Sequence, residues 1–188
     1  MEPNQPHIAE LLKRCKSSDK NAQLQLYNAY YKAMYNSAYR ILKDSFEAED
    51  STQEAFLTAF MKMHTYKGEV TFGAWLKRIV INKSLTQLKK NNRYEEVKME
   101  IIPQDEKENE VLNYKGLHPK SVLHSLNCLK DNYRVVLTLH LIEGFDYEEI
   151  AQILKYTNEN VRTTVSRAKK KLKQVLLAEN IKTQAYGR

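Results

Sequence analysis

Apolar residues recur along this chain mostly three and four positions apart, the spacing that gathers them on one face of an α-helix. Glycine (5) and proline (4) are scarce, so few points interrupt the pattern. The chain therefore reads as all-α. A short helix is expected over about 8–15, closed by the polar Lys16-Ser17-Ser18-Asp19. A long helix follows to about residue 43, carrying Leu24, Tyr27, Tyr31, Met34, Tyr35, Ala38 and Leu42 at helical spacing. Asp44-x-x-Glu47 has the form of a capping box, in which a carboxylate accepts from the first free N–H groups of a helix. It opens a third helix to about residue 64, with an inward stripe of Phe56, Phe60 and Met63. After a loop over 64–71, a fourth helix is expected over about 72–91.

The pattern then breaks. Residues 94–111 hold seven acidic residues and two lysines around Pro103, with little that could enter a core. This composition predicts a flexible acidic linker. Helical spacing returns over about 119–178, where Pro119 suits a first helical position, Asp131 suits a cap and Gly144 suits the residue after a helix end. Two small helical domains follow, over 1–93 and 119–180, joined by a linker at 94–118 and ending in a tail at 181–188.

The second domain carries the sharper motif. Asp146-x-x-Glu149 is another capping box, opening a short helix through Leu154. Lys155-Tyr156-Thr157 then turns the chain into a longer helix, the order of a helix-turn-helix whose second helix enters the DNA major groove. Val161, Val165, Ala168 and Leu172 form its inward stripe, while Arg162, Thr163, Ser166, Lys170 and Lys173 lie opposite. From Val161 through Lys173 there are six basic residues and no acid, enough to neutralise several phosphates. Asn158 and Asn160, at the helix start, bear side chains able to read base edges. Thr157 suits a cap, a phosphate contact, or both.

Charge extends this picture to the first domain. The formal net charge is +7 and the pI about 9.2, a balance that suits a polyanionic partner. Residues 74–93 contribute Lys77, Arg78, Lys83, Lys89, Lys90 and Arg93 with no carboxylate, a second basic surface apart from the first. Trp75, Ile79, Asn82 and Thr86 share a face of that helix, where Asn82 is either a bonded core amide or a surface group. In the preceding loop Tyr66 offers an aromatic ring beside Lys67, a combination suited to unstacked bases, with Gly68 giving the backbone freedom.

Other chemistry finds no footing. Cys15 and Cys128 lie far apart, and His7, His64, His118, His124 and His140 show no ligand spacing, so neither metal nor disulfide framework is expected. No Walker loop or nucleophile–base pairing is present, so neither cofactor nor enzymatic activity is expected. The N-terminal MEPNQPHIAE lacks the form of a signal peptide, and no apolar run approaches the ~20 residues that cross a bilayer. A cytoplasmic protein without membrane insertion is the expectation. An operator-binding regulator accounts for the helix-turn-helix but leaves the first domain unexplained. An RNA-binding helical protein accounts for charge but not for the order of box, turn and helix.

The first domain supplies what those readings lack. DSFEAEDSTQEAFLTAFMKM, followed by YKGEVTFGAWLKRIVINKSLTQLKK, resembles regions 2.2 to 2.4 of extracytoplasmic-function (ECF) sigma factors. DNYRVVLTLHLIEGFDYEEIAQIL and NVRTTVSRAKKKL resemble their region 4, in the right order and at a plausible separation. The resemblance implies a promoter-reading subunit of RNA polymerase. It assigns Asp50, Gln53 and Glu54 to docking on the clamp helices of the polymerase β′ subunit. The loop with Tyr66, Lys67, Gly68 and Glu69 would capture a flipped base of the −10 element. Asn82, Lys83, Lys89 and Lys90 would read that element and help open it. Asn158, Glu159, Asn160, Arg162, Thr163, Ser166, Arg167 and Lys170 would read the −35 element in promoter DNA, and region 4 would hold the β flap tip. An anti-sigma factor is a further expected partner from the family alone. The sequence departs from the family with Thr86 and Lys89-Lys90, where Asp and Arg-Arg are common, and with Asn160, where Thr is frequent. Lysine keeps the charge of arginine but loses its bidentate fork, so base preference does not transfer from relatives.

Overall fold

A computed structural model describes residues 5–91 and 119–186, which divide into two compact units within Met1–Arg93 and Tyr94–Arg188. Every regular element among the described residues is helical. The acidic linker expected at 94–118 lies outside them, as do Arg93 and the last two residues of the chain.

In the first unit, α1 (Gln5–Lys16) meets α2 (Lys20–Leu42) at a corner built by Asp19. The Asp19 carboxylate accepts from Asn21 N at 2.9 Å and Ala22 N at 3.2 Å, and Arg14 pairs with it at 2.8 Å. The amide of Ala22 and the guanidinium of Arg14 hold its carboxyl below the ordinary value of 3.8. α2 ends where Lys43 takes the left-handed conformation at φ 61°. Asp44 then caps α3 (Ser45–Met61), accepting from Phe46 N and Glu47 N at 3.0 Å each. The other member of the expected box, Glu47, accepts from Asn91 Nδ2 and so ties α3 to the end of α4 (Phe72–Lys90).

Helices α2, α3 and α4 pack on one another, with α1 lying against α2. Ala22, Ala38, Ala48, Ala55 and Ala59 are fully buried, and their small size lets the helix axes approach. Leu26, Phe56, Leu76 and Val80 fill the space between. The inward stripe Phe56–Phe60–Met63 forms as expected, although the last turn is a 3₁₀ turn, Met63–Thr65. Leu24 is exposed, and the interior of α2 is lined instead by Leu26, Ile41 and the expected Met34, Ala38 and Leu42. Tyr27, Tyr31 and Tyr35 form a half-buried ladder on its flank.

In the second unit, α5 (Pro119–Asn127) and α6 (Asp131–Leu137) precede a π-helical turn, Thr138–Ile142, that continues α6. Asp131 does not cap: it is the first helical residue, and its carboxylate holds the guanidinium of the buried Arg134. Gly144, at φ +81°, redirects the chain after the π turn. α7 (Tyr147–Leu154) and α8 (Asn158–Tyr186) follow, and α5, α6 and α7 all pack on α8. The stripe Val161, Val165, Ala168 and Leu172 is buried, as are Val135 of α6 and Ile150 of α7, the helices packed on it. α8 runs past the expected end near residue 178, into what the composition suggests as a tail.

Candidate nucleic-acid interface

Each step into α8 is fixed by a named bond. Asp146 Oδ1 accepts from Glu149 N at 2.8 Å while Asp146 N donates to Glu149 Oε2 at 3.0 Å, completing the capping box. Lys155, left-handed at φ 59°, ends α7, and Tyr156 N donates back to Ala151 O at 3.0 Å. Thr157 Oγ1 accepts from Asn160 N at 3.2 Å, so Thr157 is a cap of α8.

Beyond the cap, Asn158, Glu159, Arg162, Thr163, Ser166 and Lys170 are exposed on one side of α8, and Arg167 is half-buried beside them. Asn160 is also half-buried, and its Oδ1 accepts from the hydroxyl of the buried Thr164 at 3.1 Å. The Arg162 guanidinium stands 5.6 Å from the centroid of the Tyr147 ring, and the other partner of that ring, His140, stacks at 4.9 Å. Thr164, Tyr147 and His140 therefore shape this surface without being among the residues expected to read DNA. Only Thr164, four residues after Asn160, had a position in the sequence that could have drawn attention to it.

In the first unit, Tyr66 does not stand free as a platform. Its ring packs against Phe72 and Trp75 at centroid distances of 5.8 and 5.3 Å, and its hydroxyl donates to Val70 O at 2.8 Å. Burial raises its phenol pKa. Tyr66 is thus the strut of a short loop in which Lys67, Gly68 and Glu69 are exposed and Gly68 takes φ +82°. Thr71 caps α4, accepting from Ala74 N at 3.2 Å. Asn82 is exposed, which sets aside its reading as a core amide; Thr86 Oγ1 donates to its backbone carbonyl at 2.8 Å. Lys89 and Lys90 are exposed on the last turn of α4.

Asp50, Gln53 and Glu54 are exposed on α3, and Gln53 Nε2 donates to Glu49 Oε1 at 3.3 Å. They do not stand apart from the basic helix, because Glu54 Oε2 meets Lys83 Nζ at 3.0 Å. Nor is the α3 face simply acidic. Phe46, Leu57 and Met61 are 84%, 63% and 72% exposed, and with Asp50 and Gln53 they form one stripe along the helix. Among the described residues there is no cluster of three or more His, Cys, Asp or Glu suited to a metal, and no helix long and apolar enough to cross a membrane.

Two family models match the chain: Sigma-70 region 2 over residues 26–94 and Sigma-70, region 4 over residues 120–172. The ECF RNA polymerase sigma factor SigE of Mycolicibacterium smegmatis is 29% identical over 160 residues, a match covering 80% of this chain and 60% of that relative. The ECF RNA polymerase sigma factor SigW of Bacillus subtilis is 26% identical over 184 residues, covering 90% of this chain and 96% of the relative. The chain belongs to the ECF group of the sigma-70 family. Like other ECF sigma factors it directs promoter-specific transcription initiation with RNA polymerase and is not an enzyme. The fold agrees with a solved structure of the sigma factor RpoE in complex with the anti-sigma factor NepR from Bartonella quintana. That match has a TM-score of 0.56 and 23% identity, covering 81% of this chain and 94% of that one. Region 2 of this ECF factor thus holds α3, the Tyr66 loop and α4, and region 4 holds the helix-turn-helix.

Proposed function

We propose that this ECF sigma factor divides promoter recognition and polymerase binding among four surfaces. The row Asn158, Glu159, Asn160, Arg162, Thr163, Ser166, Arg167 and Lys170 reads the −35 duplex. Lys67, Gly68 and Glu69, in the loop braced by Tyr66, capture an unstacked base of the −10 element, while Asn82, Lys83, Lys89 and Lys90 draw in its backbone. Asp50, Gln53 and Glu54, with the apolar residues that flank them, dock on the β′ clamp helices, and region 4 takes the β flap tip. The observation that supports this reading most is the capped turn that presents the first turns of α8, with their polar and basic side chains, outward.

The mechanism needs no chemical step. Basic groups on each unit release counterions from phosphate, a strong but unselective attraction. Base contacts on α8 then add selectivity. Two weak grips joined in one chain bind tightly only where their spacing on DNA matches, and polymerase sets that spacing. Strand opening draws on the same binding energy, with the extruded base held at the Tyr66 loop. The work takes place in the cytoplasm, with an anti-sigma factor as the expected restraining partner.

Run-off transcription with purified core polymerase on fragments of the source genome tests this reading. New start sites are expected only with both components. Substitution of Asp50 and Gln53 by lysine should abolish them by preventing assembly, and Arg162→Ala should weaken them on assembled enzyme. A footprint from the protein alone, with no stimulation of transcription, would overturn it.

A further inference from the structure

We infer that Asn160 is a donor-only reader of the −35 duplex, held so by Thr164, and that it selects guanine against adenine. The inference rests on α8 being the duplex reader.

An asparagine amide has two ends of opposite character, a carbonyl that accepts and an NH₂ that donates. Its familiar pairing with adenine uses both, accepting from N6 and donating to N7. In this structure the carbonyl end is engaged: Thr164 Oγ1, on the buried side of α8 and 2% exposed, donates to Asn160 Oδ1 at 3.1 Å. Thr157 meanwhile fixes the Asn160 backbone by accepting from its N–H. An amide whose oxygen faces the buried side turns its nitrogen outward. The group offered to DNA is then a pair of N–H donors.

Base edges in the major groove sort sharply against such a group. Guanine presents two adjacent acceptors, O6 and N7, and thymine presents one, O4. Adenine sets an N6 donor beside its single acceptor, and cytosine presents a donor. A donor-only Asn160 therefore ranks guanine first and gains nothing from the adenine N6 group.

The test uses the full chain with core polymerase on a promoter library randomised through the −35 region, with selected sequences counted for each variant. Asn160→Ala identifies the base pair concerned as the position whose preference flattens. In the unaltered protein that position should favour guanine over adenine by about tenfold, within the range for one good base contact. Thr164→Val keeps the branched shape and removes the hydroxyl, which frees the amide to rotate; the guanine-to-adenine ratio should fall to about twofold or less. Thr164→Ser restores the hydroxyl and should restore the ratio, whereas a purely structural role for Thr164 would lower activity on all sequences alike. Adenine as the favoured base, no position flattened by Asn160→Ala, or an unchanged ratio in folded Thr164→Val overturns the inference. If Thr164→Val does not fold, the base favoured at the Asn160 position still decides it. Failure of the unaltered chain to select any −35 sequence would instead overturn the parent reading of α8.

Discussion

Arg134 is among the largest fully buried side chains of the second unit, and the perturbation we single out is removal of its partner Asp131. The arginine is 1% exposed and the aspartate 23% exposed. Breaking a fully buried ion pair by deleting one member costs about 3–5 kcal/mol, because a charge is left in a poor solvent. Here water reaches Asp131, and Arg134 has further interactions of its own, so about 2–3 kcal/mol is expected for Asp131→Ala. In a domain this small that loss lowers the melting temperature by roughly 10 °C or more. The assay is amide hydrogen exchange on the full chain, which reports α6 and α8 separately from α2–α4. Protection in α6 and α8 should fall by about 30- to 150-fold, the same free energy read as an equilibrium. Replacing both residues by leucine should recover most of the loss, since an apolar pair leaves no stranded charge. A change under about 0.5 kcal/mol for Asp131→Ala, the range of ordinary surface substitutions, would refute the claim that Asp131 compensates the buried charge of Arg134.

Three further outcomes are expected. Lys170→Ala should weaken holoenzyme binding on all −35 sequences alike and reduce the slope of log affinity against log salt by about 1, as loss of one phosphate contact does; filter binding from low to moderate salt measures it. Tyr66→Phe keeps the ring contacts with Phe72 and Trp75 but deletes the bond to Val70 O, costing about 1 kcal/mol of loop order. Permanganate reactivity of −10 thymines should show slower opening at unchanged −35 binding. Asp19 has a carboxyl held below 3.8 when folded, so its contribution is present above that value and is lost as pH falls through the lower folded value. The Asn21 and Ala22 amides should stay protected at pH 4 and exchange faster only at lower pH, and Asp19→Asn should remove that dependence while keeping the cap.

Much of this architecture is legible in the sequence because its helix ends are marked by short-range chemistry. Asp44 and Asp146 cap where their spacing says they should, and the Val161–Leu172 stripe is buried as its period requires. Misreadings fall where tertiary contacts outvote local pattern. α2 is packed by α1, α3 and α4, so its buried surface is broad; Leu24 falls outside it while Leu26 and Ile41 fall within. Asp131 has the form of a cap, but a buried arginine one turn later is a stronger claimant for its carboxylate. Asn82, for which the pattern leaves core and surface both open, shares a face with the half-buried Trp75 and Ile79, and that face emerges into solvent before Asn82 is reached. The candidate DNA residues were identifiable by type and place, but their restraints were not. Neither the Tyr66–Val70 bond nor the His140–Tyr147–Arg162 stack follows from spacing, since each depends on how segments return to one another.

The contact between Glu54 and Lys83 changes how the first unit should be understood. From sequence, an acidic docking helix and a basic DNA helix are separate devices. In the fold, α3 and α4 pack together, and one residue from each group meets its counterpart at 3.0 Å. Both side chains are more than a third exposed, so the pair is worth at most about 1 kcal/mol and is open to competition from either side. A phosphate that approaches Lys83 competes with Glu54, and a cation that approaches Glu54 competes with Lys83. Charge on the proposed docking face and charge on the proposed DNA face are therefore not independent variables: neutralising Glu54 alters the field at Lys83 even where nothing else moves. A Glu54 variant that impairs initiation has disturbed both surfaces, and only its combination with a Lys83 variant separates the two contributions.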